Sequence, residues 1–437
     1  MKTGRITLDN NSEWPLPRTE PGEVGISSER LAKLGPAMQR FIDQKQIPNV
    51  ITLVAREGKI VHFEAQGYLD CTSKSPALKN SIYRLYSDTK PITGVAVMIL
   101  CEEGLLNLND PVSRYIPAFK NPMVTMISPV IRNRFGPPYM SLTIPAGREI
   151  TIRDCLANTS GLATPRRSPY WLRLKYKEFI DELGWDIPES LDVPPRTSYS
   201  AMVEANAMIP LSFEPGTEFV YHVGYSVIGV IIEKITGKTL EDYFQERIFK
   251  PLAMKDTSFY LDKKKLKRFT TCYETSFNNS KWSLSVHDKP ETSEKVNGPK
   301  IYFSAGGDMG GVLSTAVDYA RLVQMLLNNG QLDGKRILSR KSVEIMTSDH
   351  TGNIVIPMFE PGFGFGIGVG VYQGGSPLPV LRSPGTFGWG GSAGTTFFAE
   401  PKEKLLALCF TQTFGGLAMS GNNYLGEFER LVYESLI

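Results

Sequence analysis

The stretch RLYSDTKPIT, Arg84 to Thr93, sets Ser87 and Lys90 three residues apart at the head of an apolar run, Ile92 to Leu100. On a helix, residues at that spacing share a face, about one turn apart. A serine in the first turn keeps its backbone N–H unused, because the first four helical amides lack intrahelical partners. Lys90 would then carry its amine to the Ser87 hydroxyl. A lysine amine works as a base only when its pKa falls, which burial and a neighbouring cation can achieve. Taken alone, the four residues suit the plainer reading better: a capping serine above a solvated lysine.

Two distant stretches change that balance. FEPGTEFVYHVGYSVIGVIIEKITG, Phe213 to Gly237, places Tyr221 after a Pro-Gly turn and before a strongly apolar helix. FGWGGSAGTTFF, Phe387 to Phe398, puts Trp389, Gly390 and Gly391 at the start of a strand. Glycines there let a backbone pass close to a ligand. A strand amide beside the Ser87 amide would aim two donors at one oxygen, an oxyanion hole.

Competing motifs fail on their context. GGSAG, Gly390 to Gly394, matches the G-x-S-x-G nucleophile elbow. That elbow needs a helix after the serine and a histidine further on. No histidine follows Ser392, and the residues after it read as strand. The four histidines, His62, His222, His287 and His350, are scattered and form no HExxH, so no metal signature emerges. Only His222, next to Tyr221, attracts notice. GFGFGIGVGVY, Gly362 to Tyr372, lacks a GxGxxG and reads instead as one strand with a bare face.

Composition narrows the class further. The chain has 437 residues, 41% of them apolar, which is enough for a large core in one enzyme domain or two lobes. A net charge of +3 from 48 basic and 45 acidic side chains is no nucleic-acid-binding balance. The run DKKKLKR, Asp262 to Arg268, reads as a solvated face. The five cysteines are odd in number and widely spaced, the pattern of a reduced chain without disulfides. The N-terminus shows no apolar secretory segment and no stretch approaches the length of a membrane span, so a cytoplasmic protein is expected.

The coarse order of elements is helix, two strands, many helices, then strands and a last helix. SSERLAKLGPAMQRFIDQKQIP is helical through about residue 44, and NVITLVAREGKIVHFEAQGYLD is a hairpin turning at Glu57 to Lys59. TIRDCL, Thr151 to Leu156, carries a capping pattern. Helices separated by Gly237 and a helix closed by Gly330 follow. GTTFFAEPKEKLLALCFTQ is a hairpin around Pro401, and YLGEFERLVYESL is the final helix. Strands at both ends with helices between them predict an α/β (α+β) fold. In it, 1–85 and 296–437 form a sheet domain, 86–295 forms a mostly helical lobe, and the active site lies in the cleft between them.

At this point the chain resembles a known family, the serine β-lactamase and penicillin-binding-protein group, from about Ile26 to the C-terminus. Its class C-like branch, with the family VIII carboxylesterases, is the most similar. Ser87-x-x-Lys90 matches the first motif. Tyr221-His222-Val223 stands where the family has Tyr-x-Asn, and Trp389-Gly390-Gly391 where β-lactamases have Lys-Thr-Gly. ITIRDCLANTSGL, PLSFEPGTEFVY and GGDMGGVLSTAVDYARL also look like family sequence. The resemblance implies a β-lactamase/transpeptidase-like fold: an antiparallel sheet flanked by the terminal helices, with an inserted helical lobe. It implies Ser87 as acylated nucleophile, with Lys90 and Tyr221 as general base and acid. The backbone N–H groups of Ser87 and Ser392 would form the oxyanion hole, and Trp389, Gly390, Gly391 and Val223 would line the substrate site.

Two departures bear on the substrate. Trp389 offers one N–H where a lysine would hold a carboxylate, and Val223 replaces an asparagine. Both changes favour less polar acyl groups. The expectation is a carboxylesterase acting on a small ester, with no cofactor, no metal, and neither nucleic acid nor membrane as partner. A β-lactamase, an amide or D-amino-acid peptide hydrolase, and an acyltransferase use the same site chemistry; a catalytically silent binding or scaffold relative is the alternative of another class. RRSPYWLRLKYKEFIDELGW, Arg166 to Trp185, could be a lid or core. Asn158 stands where relatives often have histidine, without evident reason.

Overall fold

The computed structural model describes residues 16–126, 142–162, 199–221, 223–296, 304–307, 311–377, 380–414 and 422–437. The stretch 166–185 and His222 lie outside them.

The N-terminal helical pattern forms two short helices, α1 (Ser28–Leu31) and α2 (Leu34–Asp43). The Ser27 hydroxyl caps the first by accepting from the Arg30 N–H. The hairpin follows as β1 (Asn49–Arg56) and β2 (Lys59–Asp70), turning through Glu57 and Gly58, both at positive φ. A short strand, β3 (Ser75–Pro76), extends it. Then come α3 (Thr89–Glu102), α4 (Ile152–Leu156), α5 (Val223–Thr236) and α6 (Leu240–Phe244). The capping pattern in TIRDCL is real. Thr151 accepts from the Asp154 N–H, and Asp154 accepts from the Thr151 N–H and pairs with Arg148 at 2.6 Å.

The segment 86–295 is not purely helical. It contains β4 (Cys272–Asn278) and β5 (Lys281–Asp288), a hairpin that forms a small separate sheet. After α7 (Ala316–Leu327) the glycine-rich run GFGFGIGVGVY does not form the single strand expected. It folds as two, β6 (Phe363–Phe365) and β7 (Gly370–Tyr372), paired antiparallel around Gly366 to Val369. Its period-two pattern runs through both arms, while Gly368 at φ +87 makes the turn. The chain ends with β8 (Phe387–Gly390), β9 (Thr395–Glu400), β10 (Leu405–Phe410), β11 (Thr413–Phe414) and α8 (Tyr424–Glu434). β11 runs parallel to β4 and joins the small sheet.

The main sheet has eight strands among the described residues, in the order β6-β7-β8-β9-β10-β1-β2-β3, with antiparallel pairing throughout. Its centre joins the two ends of the chain, because β1 pairs with β10, Leu53 opposite Leu408. Alternation divides those strands between two cores. Val50 and Val54 of β1 and Ala407 and Cys409 of β10 pack against α1, α2 and α8. Ile51, Leu53, Leu406 and Leu408 face the larger core that includes α3, α5 and α7. There the Tyr319 ring of α7 meets Phe397 and Phe410 at 5.4 and 5.7 Å. Among the described residues, no helix is long and apolar enough to cross a membrane.

Candidate active site

Ser87 sits in a 3₁₀ turn, Tyr86–Asp88, that runs directly into α3. The residue before it, Tyr86, adopts φ +46, a left-handed conformation that costs a non-glycine residue roughly 1–2 kcal/mol. Packing fixes the turn. A Cβ on Gly307 would lie 1.9 Å from the Tyr86 carbonyl oxygen, and one on Gly391 would lie 2.1 Å from that of Leu85. Only glycine backbones approach that closely. The hairpin of β6 and β7 braces the same helix: a Cβ on Gly368 would meet the Lys90 carbonyl oxygen at 2.4 Å.

α3 is buried from Thr89 to Leu100, so Lys90 is not solvated. Its side chain is fully buried, and Nζ donates to Ser87 Oγ at 3.2 Å and to the Gly306 carbonyl at 2.5 Å. The amine also lies over two rings, 4.4 Å from the centre of Tyr221 and 5.2 Å from that of Tyr225. Tyr225 is held in turn by its hydroxyl, which donates to the Leu156 carbonyl at 2.9 Å. Asp88, between Ser87 and Lys90 in sequence, is also buried. Burial pushes its carboxyl well above the usual range, against a smaller opposing pull from Thr395 and Lys90.

Tyr221 is positioned by two paired segments. Val220 N–H donates to the Asn158 carbonyl at 2.9 Å, Gly216 N–H to Thr159 at 2.8 Å, and Ser212 N–H to Gly161 at 2.7 Å. Asn158 has φ +61 at the end of α4, a conformation asparagine adopts more readily than most residues. That supplies the reason for asparagine that its sequence context lacks. Immediately after Tyr221, α5 lies tight on α4; a Cβ on Gly224 would meet the Cys155 carbonyl oxygen at 2.3 Å.

Trp389 comes from β8. Its indole N–H donates to the Tyr221 hydroxyl at 3.1 Å, and the two rings lie 5.6 Å apart. Phe365 and Phe359 meet the indole edge-to-face at 4.8 and 5.6 Å. Gly390 continues the ladder opposite Thr396, and Gly391 turns the strand against the Ser87 turn. Ser392 is exposed in the β8–β9 connection, with strand rather than helix after it, which is not the setting of a nucleophile elbow. Val223 is half-buried in the first turn of α5.

The structure therefore brings Ser87, Lys90, Tyr221, Trp389 and Gly391 together from three stretches. It adds Gly306, Tyr225, Phe359 and Phe365. The glycines of GGDMGG hint at close backbone contact, but a carbonyl acceptor such as Gly306 leaves no mark in residue type. Phe359 and Phe365 sit in stretches that read as loop and strand, without a site signal. Among the described residues, no three His, Cys, Asp or Glu side chains group as a metal site would need.

Comparison with known proteins identifies the family. A family model described as beta-lactamase matches residues 35–428, and the chain belongs to that family of serine hydrolases. Protein Rv1367c of Mycobacterium tuberculosis is 30% identical over 385 residues, covering 86% of this chain and 88% of that protein. Esterase EstB of Burkholderia gladioli is 26% identical over 417 residues, covering 90% and 93%. Among solved structures, EstCE1, described as a hydrolase with promiscuous acyltransferase activity, superposes with a TM-score of 0.73. Identity there is 24%, with 93% of this chain and 99% of that one covered.

Proposed function

We propose that the protein is a carboxylesterase that cleaves short-chain esters through an acyl-enzyme on Ser87. The observation that carries this reading is the fully buried Lys90 amine 3.2 Å from Ser87 Oγ. Burial disfavours the charged form of an amine, and Lys90 and Tyr221 share the serine proton, which passes from Ser87 to the deprotonated Tyr221 oxygen. Ser87 attacks the ester carbonyl, and the oxyanion lies between the Ser87 and Ser392 backbone N–H groups. Tyr221 shares the proton with Lys90 and returns it to the departing alkoxide. Water then attacks the acyl-enzyme and releases the acid.

The preference for an ester over a β-lactam follows from the third motif. The one N–H of Trp389 is used on Tyr221, so it is not offered to a substrate carboxylate. The likeness to EstB supports the same choice. Acyl transfer to an alcohol would use the same acyl-enzyme, as the description of EstCE1 illustrates for that protein. The test is Ser87→Ala, which should abolish hydrolysis of a p-nitrophenyl ester. A fluorophosphonate probe should modify the peptide that contains Ser87. Full activity in the variant, or an adduct elsewhere, would reject the nucleophile.

A further inference from the structure

Trp389 stands in the third motif, where the sequence suggests a residue that touches substrate. Its polar atom points elsewhere. The indole N–H donates to the Tyr221 hydroxyl at 3.1 Å. The ring is fixed in that pose by Phe365 and Phe359, both nearly perpendicular to it, at 4.8 and 5.6 Å. Space for this arrangement comes from Gly370, where a Cβ would lie 2.9 Å from Phe359 Cζ and 3.4 Å from Trp389 Cζ3. β8 carries the backbone: Trp389 pairs with Phe397, and its carbonyl accepts from the Thr396 hydroxyl at 2.9 Å.

From this geometry we infer that Trp389 is a positioning residue for Tyr221: its N–H holds the phenol oxygen and stabilises the deprotonated form that takes the serine proton. A tryptophan N–H can only donate. A donor aimed at a phenolic oxygen favours the phenolate, because the charged form accepts more strongly than the neutral one. Other titratable groups also face Tyr221. Lys90 of α3 lies over its ring, Tyr225 of α5 flanks the same amine, and Ser87 lies within 3.2 Å of that amine. When Lys90 is charged it pulls the same way as the indole. Phe219 and Phe365 add only apolar faces: Phe219 stacks on Tyr221 at 6.5 Å, and Phe365 meets Phe219 at 5.9 Å. The indole N–H thus acts on the base with a neutral dipole, and its influence is present at every pH.

The inference rests on the esterase reading for its catalytic meaning, and two measurements separate them. The first is the titration of Tyr221 by NMR on protein carrying ¹³Cζ-tyrosine, with its signal assigned through Tyr221→Phe. The second is the pH profile of kcat/KM on a p-nitrophenyl ester. Trp389→Phe keeps a ring among Phe359 and Phe365 but removes the donor. It should raise the Tyr221 midpoint by about one pH unit or more and move the acid limb of the profile by the same amount, given the strength of hydrogen bonds to charged groups. Activity should drop about tenfold on that limb and recover at high pH, with KM little changed. Trp389→His restores an N–H and should recover part of the shift; it also serves if the phenylalanine variant fails to fold. An unchanged Tyr221 midpoint in an enzyme that turns over ester would overturn the inference and leave the esterase reading standing. A shifted midpoint in a protein without ester turnover would do the reverse. An equal loss of activity at every pH would mark Trp389 as packing only.

Discussion

Gly390 and Gly391 are adjacent, yet the structure assigns them opposite tolerance to one methyl group. A Cβ on Gly391 would lie 2.1 Å from the Leu85 carbonyl oxygen and 2.5 Å from Thr395 Oγ1. Carbon–oxygen contacts in proteins settle at about 3.3–3.6 Å. Gly391→Ala must therefore drive the end of β8 roughly 1 Å from the Ser87 turn. On Gly390 the nearest atom is the Thr395 carbonyl oxygen at 3.3 Å, which needs only a slight adjustment. A displacement of about 1 Å at a reacting site can lower the rate about a hundredfold, and loss of an oxyanion-hole donor lowers kcat about 100- to 1,000-fold. Gly391→Ala should lose at least about a hundredfold in kcat/KM on a p-nitrophenyl ester. Crowding should cost it only about 1–3 kcal/mol of stability. Gly390→Ala should stay within about threefold of wild type, since its contact falls near the ordinary range. Steady-state kinetics and urea unfolding on both variants decide the matter. Equal activity in the two folded variants would refute the claim that Gly391 sets the distance between strand and nucleophile.

Other outcomes follow from the same coordinates. Ser392→Ala should keep much of its activity, because the proposed contribution of Ser392 is a backbone N–H; a loss as deep as that of Ser87→Ala, read in the same ester assay, would contradict it. The ester kcat/KM should exceed that for nitrocefin by at least about tenfold, the value of one missing charge-assisted contact; matched steady-state kinetics would show it. Asp154→Asn should lower stability at pH 7 by about 1–3 kcal/mol in urea unfolding. Burial raises the Asp154 pKa, but the Arg148 and Thr151 hydrogen bonds outweigh it and hold the carboxyl below its usual value. That contribution is present above the unfolded pKa of about 3.9 and is lost as pH falls through the lower folded value, so the gap between variant and wild type should close in acid.

Much of the architecture was legible because local patterns and tertiary needs agree. The β1–β2 turn, the Thr151 capping box and the Gly237 and Gly330 stops all carry their own chemistry in the sequence. The glycine-rich run misled because period-two alternation is the same in one long strand and in a tight hairpin; only the contact of Gly368 with α3 decides between them. Ser87, Lys90 and Tyr221 stood out by residue type and order. The Gly306 carbonyl, the left-handed Tyr86 and the Asn158 turn did not. Each depends on backbone conformation or on a partner far along the chain, and none of the three has a signature in a single stretch of residues.

The turn that carries Ser87 is braced by glycines that arrive late. Gly307, Gly368 and Gly391 press on Tyr86, Lys90 and Leu85 respectively. During synthesis the serine therefore leaves the ribosome long before the segments that give it its shape. Domains fold from long-range contacts only once both partners exist. A nascent or truncated chain then holds a serine with the ordinary reactivity of an alcohol, indifferent to activated esters in its surroundings. If Ser87 is the nucleophile proposed above, its labelling by a fluorophosphonate should serve as a stopwatch for completed folding, with the probe expected to react only after β8 has closed on the turn.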